Sequence, residues 1–320
     1  MEYSALGKTG LKVSTIGFGT VAFGDGYGAV SVEDCRRALM HAIDAGINLV
    51  DTSPYYGKTL SEERLGMALV GHRHEVVLGT KCGRYGFDEF DFSATAVVRG
   101  FEASLRRLRT DYVDILQVHD VEFGSIDQVI HETIPALLRL KTEGKVRFIG
   151  VTGYWPHVLA HIAESASIDV VLNYCHWNLM MDDMDVALTP VAEKQQLGLM
   201  NGSPLHMGLL GGNAGPDWHP APSNIKAVAA RFGSLCREYG TDPAIVALNA
   251  CFQHPSVAST VVGPRSVDEV NDALEALKFR PSAELMKKVS ELIAPIFNTS
   301  WCSGLPENEP PWSRYTRVGE

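Results

Sequence analysis

Short apolar runs alternate with amphipathic stretches along nearly the whole chain. TIGFGT (15–20) precedes SVEDCRRALMHAIDAG (31–46), and NLVDTS (48–53) precedes SEERLGMALVG (61–71). VVLGTKCG (76–83), VDILQVHD (113–120), VRFIGVTG (146–153) and VVLNYCHW (170–177) are each followed by a stretch of helical period. So are GLMNGSPL (198–205) and STVVGP (259–264). The runs are apolar through most of their length, as strands buried on both faces are. The stretches between them repeat at i, i+3, i+4 and i+7. Ala96, Val97, Phe101, Leu105 and Leu108 form one such stripe. Gly46, Gly71, Gly144 and Gly240 fall where helices need a left-handed cap. Ser31, Ser61 and Ser93 fall where an N-cap is wanted.

Strict alternation of parallel strand and helix leaves an open doubly wound sheet or a closed barrel, and eight units favour closure. The expected fold is therefore α/β, a (β/α)8 TIM barrel in a single domain over 1–320. YSALGKTGLKVS predicts an N-terminal β-hairpin that plugs the barrel bottom, and extra C-terminal helices complete the chain. Residues 206–224 are too long for a simple connection and are expected to form a functional lid. The tail from about 298, rich in Pro and Gly, should be irregular.

Charge narrows the partners. A net charge of −10 disfavours nucleic acid and anionic membranes, which both require a basic footprint. No stretch of about 18 apolar residues spans a membrane, and the first residues do not read as a signal peptide. The six cysteines form no C-x-x-C and no zinc-like spacing, so they read as reduced thiols of a cytoplasmic protein, with no metal site. His157 and His161 are four apart on one helix but lack a third ligand. GFGTVA (17–22) fits the dinucleotide fingerprint G-x-G-x-x-A, yet FGDGYGAV follows it instead of a helix, and a lone match is weak.

In a barrel of this kind the active site lies at the C-terminal ends of the strands. There the sequence places Asp51, Lys81 and His119 at the ends of the second, third and fourth strands, with Tyr56 on the loop after the second. Singly, each has a bland explanation; Asp51 caps turns and His119 fits a core. Together their chemistry is coherent. A free phenol titrates near 10, and an adjacent ammonium lowers that value. A carboxylate keeps the lysine charged, and a histidine orients an oxygen. Such a set moves a proton to or from a hydroxyl or carbonyl while a cofactor moves a hydride.

The strings DTSPYYG (51–57), GTK (79–81), DYVDILQVHD (111–120), LKTEGKVRFIGVT (140–152) and SPLHMGLL (203–210) resemble the signatures of the aldo-keto reductase superfamily. The resemblance runs from Leu6-Gly7 to about Leu292. It implies that Asp51, Tyr56, Lys81 and His119 form the catalytic tetrad, with Tyr56 as acid/base. DTSPYYGKTLSE, TKCGRYGFDEFDFSA, HDVEFGSIDQVIHETIPAL and NYCHWN are similar to the branch that oxidises C1 of aldoses such as L-galactose and L-fucose to lactones. That branch implies a small aldose substrate, with a general aldehyde or pyridoxal oxidoreductase as the alternative and a non-catalytic cofactor-binding subunit as a third. A monomer or homodimer is expected.

The resemblance also implies a dinucleotide laid across the barrel mouth. Thr152 and Asn173 would hold the carboxamide, Ser203, Leu205 and Gly208 would wrap the pyrophosphate, and Gly19, Thr20, Asp51 and Gly263 would line the path. The nicotinamide-stacking tyrosine of many relatives is replaced here by Gly202. Glu269 stands where NADP-preferring relatives carry arginine, which points to NAD. Arg265 keeps NADP open. Tyr55, His119, Tyr85 and Trp177 are the expected substrate contacts, and Phe23, His176 and Trp301 are further aromatic or imidazole walls.

Overall fold

The structure is a computed structural model that describes residues 1–212 and 215–310. The chain opens with a hairpin of β1 (Tyr3–Ala5) and β2 (Lys12–Ser14), paired antiparallel. Eight parallel strands follow: β3 (Ile16–Gly19), β4 (Leu49–Asp51), β5 (Val77–Cys82), β6 (Val113–Val118), β7 (Val146–Gly153), β8 (Val170–Tyr174), β9 (Gly198–Gly202) and β10 (Ser259–Val262). They close in the order β10-β3-β4-β5-β6-β7-β8-β9, with β10 also paired to β9. The expected (β/α)8 barrel is what forms.

Side chains alternate across each strand, so every second residue enters the barrel. Leu49, Ile115, Val170, Leu172, Met200 and Val261 fill its interior together with Leu6, Leu11 and Val13 of the hairpin. Leu6 is the plug. It is fully buried, and a side chain on Gly198 would stand 2.6 Å from its Cγ. The intervening strand residues, Val50, Leu78, Leu116, Val118, Ile149, Val151, Val171 and Leu199, join the larger core between barrel and helices.

Helix punctuation is mostly as expected. Ser31 and Ser93 accept the amide hydrogens of Asp34 and Ala96. Gly46, Gly71, Gly144 and Gly240 all have positive φ. Ser61 is a correction. The helix Leu60–Ala68 starts one residue earlier, after a left-handed Thr59, and Ser61 lies buried within its first turn. There its hydroxyl donates to Thr20 O at 2.8 Å. The stretch 126–144 carries a π-helical segment at Val129–Thr133, and 182–196 divides into Met184–Ala187 and Thr189–Gln195. As the sequence indicates, no helix follows the fingerprint-like string at 17–22: β3 runs into a 3-10 turn at Val21–Gly24.

The helices Ser223–Glu238, Pro243–Cys251, Val267–Lys278 and Ala283–Ile293 close the C-terminal part. In the long loop, part of the expected lid, 213–214, lies outside the described residues. From 298 to 310 the tail has no regular helix or strand beyond a short turn at Pro306–Asn308, and 311–320 lie outside the described residues. Among the described residues no helix is long and apolar enough to cross a membrane.

Candidate active site

Alternation alone carries the polar groups to the barrel mouth. Leu49 points inward, so Asp51 does. Ile115 points inward, so Gln117 and His119 do. Lys81 is paired in register with Gln117, and Asp51 with Gly79. Tyr56 comes from the turn after β4.

Lys81 is the hub. Its Nζ lies 3.2 Å from Tyr56 Oη and 2.8 Å from Thr52 O, and it forms a buried ion pair with Asp51 Oδ2. The three ammonium hydrogens thus each have an acceptor. Tyr56 Oη receives one of them, which leaves the phenolic hydrogen free to donate elsewhere. The other oxygen of Asp51 accepts from Gln117 Nε2 at 3.3 Å. Burial acts to lower Lys81, but Asp51 and Tyr56 outweigh it and hold the ammonium charged.

The phenol corrects an expectation. Burial pushes Tyr56 up to about 12, and Lys81 offsets only part of that shift. In the free site Tyr56 is a protonated acid at neutral pH. His119 moves the opposite way. Burial, then the charges of Lys81 and Arg84, hold it well below the usual histidine range, so the ring is neutral. Its Nδ1 lies 3.0 Å from Ser53 Oγ, which accepts the Tyr55 amide hydrogen at 3.1 Å. When the serine hydrogen is given to Nδ1, the single proton of the neutral ring lies on Nε2. The Tyr56 and His119 rings meet edge to face with centroids 5.7 Å apart.

Barrel closure separates two arcs. The four residues above sit on β4, β5 and β6 or just after them. Apart from Asp51, which belongs to both sets, the expected cofactor contacts lie at or just after the ends of the other strands, β7, β8, β9, β10 and β3. Thr152 is buried at the end of β7. Asn173 donates to Gly153 O and Tyr154 O, and its buried Oδ1 has no partner among the described residues. Ser203 (φ 50°) and Gly208 (φ 100°) turn the chain after β9, with Leu205 between them. Gly263 packs beside Val21 and Gly19. The Thr20 hydroxyl is held by Asp51 O and Ser61, which makes it a tie between β3 and β4. Arg265 is held on two sides. It bonds Glu269 through Nε and NH2, at 2.9 and 2.6 Å, and Tyr27 O through NH1 at 3.1 Å.

Among the expected substrate contacts, Tyr55 lies beside the tetrad, 5.8 Å from His119 by ring centroids. Tyr85 does not. Its hydroxyl donates to Ala96 O, on the helix Ala94–Leu108. Trp177 packs edge to face on His254 at 4.3 Å. Phe23, His176 and Trp301 are buried in packing contacts. Sequence reasoning missed Ser53, Gln117, Arg84, Asp120 and Glu122. Two of these had a signal: Gln117 has the same inward parity as His119, and Asp120 directly follows it.

A parallel eight-stranded barrel with an acid, an ammonium, a phenol and a neutral imidazole converging at its mouth defines an oxidoreductase acting on CH–OH or carbonyl groups. The model of the Aldo/keto reductase family matches residues 15–294, and the chain belongs to that family. It is 40% identical to L-galactose dehydrogenase of Arabidopsis thaliana over 318 residues, covering 96% of this chain and 99% of the relative. It is 30% identical to D-arabinose 1-dehydrogenase of Saccharomyces cerevisiae, covering 85% and 88%. An aldo-keto reductase from Bacillus halodurans, solved in its holo form, superposes with a TM-score of 0.74 at 27% identity, covering 91% of this chain and 96% of that one.

Proposed function

We propose that this protein oxidises the C1 hydroxyl of an aldose, L-galactose first among candidates, to the lactone with NAD. The observation that carries the proposal is the 3.2 Å approach of Lys81 Nζ to Tyr56 Oη beside a neutral His119. The likeness to L-galactose dehydrogenase over nearly the full chain supports the choice of sugar.

The residues fit a nicotinamide dinucleotide. The unpartnered Asn173 Oδ1 is suited to a carboxamide N–H, and Thr152 adds a hydroxyl on the adjoining strand. Ser203, Leu205 and Gly208 would wrap the pyrophosphate, while Gly19 and Gly263 leave room for close approach. Arg265, tied to Glu269, is not free to grip a 2′-phosphate, and the carboxylate would repel one, so NAD is preferred over NADP. When bound, the nicotinamide supplies the hydride acceptor.

The chain's own groups handle the proton. His119 donates from Nε2 to the C1 oxygen and orients it. In oxidation Tyr56 first gives up its own proton, Lys81 stabilises the resulting phenolate, and the phenolate accepts the C1 hydroxyl proton as the hydride leaves; in reduction the phenol returns that proton to the carbonyl oxygen. Asp51 and Gln117 keep Lys81 in place. In reduction Tyr56 is already in the acid form.

Initial rates with NAD and NADP against a panel of aldoses, with lactone detection, test this. Turnover of L-galactose with NAD is expected, and Tyr56→Phe should lower kcat by about 10²–10⁴-fold while dinucleotide binding persists. Wild-type rates in Tyr56→Phe would overturn the mechanism. Reduction of aldehydes or pyridoxal with no aldose oxidation would replace the sugar reading by the aldehyde one.

A further inference from the structure

We propose that Asp120 reads the substrate beside its reacting carbon. Its carboxylate accepts the hydroxyl on the neighbouring carbon, so that the site selects 2-hydroxy carbonyl compounds, sugars among them, over simple aldehydes. The sugar identity rests on the aldose reading above; the geometry does not.

Asp120 follows His119 with φ of 50°, a left-handed conformation that few residues other than glycine adopt. That turn brings its Oδ2 to 3.6 Å from His119 Nε2. The separation is too long for a hydrogen bond but leaves the carboxylate next to any oxygen that Nε2 holds. In a diol or hydroxy-aldehyde the neighbouring oxygen lies about one hydrogen-bond length further on. An apolar group there would meet a buried carboxylate without compensation, which disfavours deoxy analogues.

The carboxylate is rigid. Arg84 grips the same Oδ2, and its guanidinium lies 3.8 Å over the ring of Tyr55. Arg84 is anchored in turn by Phe87 O at 3.3 Å. Oδ1 of Asp120 accepts from no group among the described residues. Glu122, the next acid on this loop, is fully buried and accepts the Tyr174 hydroxyl at 3.1 Å as well as backbone hydrogen bonds from its own residue and Tyr154. Burial, reinforced by Asp120, pushes Glu122 up to about 8; burial raises Asp120 as well, and there Arg84 and then Lys81 act in the opposite sense and favour the carboxylate. A buried ion pair is weak evidence of a stabilising role. Its position against His119 gives it a chemical one.

The test compares each substrate with its deoxy counterpart. L-galactose and its 2-deoxy form are assayed in oxidation, and glycolaldehyde and acetaldehyde in reduction, with wild type and Asp120→Asn. The wild type is expected to favour the hydroxylated member of a pair in kcat/KM by about 10–100-fold, as for loss of a hydrogen bond to a charged group. Asp120→Asn should bring that ratio towards one. A wild-type ratio near one overturns the proposal, and so does a ratio that Asp120→Asn leaves intact. If Asp120→Asn fails to fold, Asp120→Glu, which displaces the carboxylate, takes its place: a changed ratio supports the proposal and an unchanged one overturns it. Preference within the aldehyde pair without aldose oxidation would remove the sugar reading and leave the role of Asp120 standing. Turnover of neither pair overturns both.

Discussion

Burial decides what each titratable group of the mouth can do. The same desolvation that keeps Tyr56 protonated keeps His119 neutral, because it penalises the charged form of either. Glu122 shows the effect on stability. The unfolded chain releases this proton near the ordinary carboxyl value of about 4.3, whereas the folded protein holds it to about 8. A raised pKa means that the folded state binds more protons than the unfolded one across that window. The contribution is present in full at low pH and is lost as pH rises through about 8. Glu122→Gln cannot ionise, so it escapes the loss. Its Tm relative to wild type should rise by several degrees between pH 5 and pH 9, followed by thermal melts. A difference that stays constant across the range would show that the carboxyl is not held protonated.

At the scale of an element, the turn that carries Tyr56 is set by two glycines on different loops. Gly57 has φ of 62°, and Gly24 lies directly against it. A Cβ at Gly24 would stand 2.5 Å from the Tyr56 carbonyl carbon and from Gly57 N, closer than real contacts allow. Gly24→Ala must therefore move the backbone beneath the phenol. Since a displacement of about 1 Å lowers rates on the order of 10²-fold, kcat should fall by that order while nucleotide binding holds. Steady-state kinetics with fluorescence titration of the dinucleotide measures both, and an unchanged kcat would refute the placement. Elements were legible where one face was uniformly apolar, as in 94–108. They were less so where a polar residue had a tertiary partner. Ser61 reads as a cap, but a hydroxyl between β3 and β4 uses it instead.

Over the whole molecule the tail acts as a clasp on the loop that follows β6. Leu305 N and Asn308 Nδ2 both donate to Glu122 O at 2.8 Å, Asn308 also reaches Gly124 O, and Trp155 donates to Ser303 O at 2.7 Å. Trp301 is buried against Tyr154, His206 and His219. Removing 298–320 strips a buried indole and several hydrogen bonds. The loss should lower Tm by about 5 °C or more, and it should reduce turnover through the loosened loop at Glu122–Gly124. Equal Tm and equal kcat/KM in the shortened chain would show that the clasp is idle. Its irregular backbone and scattered Pro and Gly mark the tail as a loop, and nothing in that pattern says what it covers.

Periodicity by itself determined the architecture here. Short apolar runs alternating with stretches of period 3.6 specify strand and helix from local sterics and burial, and eight such units close. Position at the C-terminal ends of successive strands likewise placed Asp51, Lys81 and His119 at one rim. Protonation states, the nitrogen of His119 that faces the site, and the aromatics that reach the mouth were decided only by the tertiary structure. Those properties depend on desolvation and on competition for hydrogen-bond partners. The competitors come from far along the chain: Ser53 for His119, Ala96 for Tyr85, Tyr27 for Arg265.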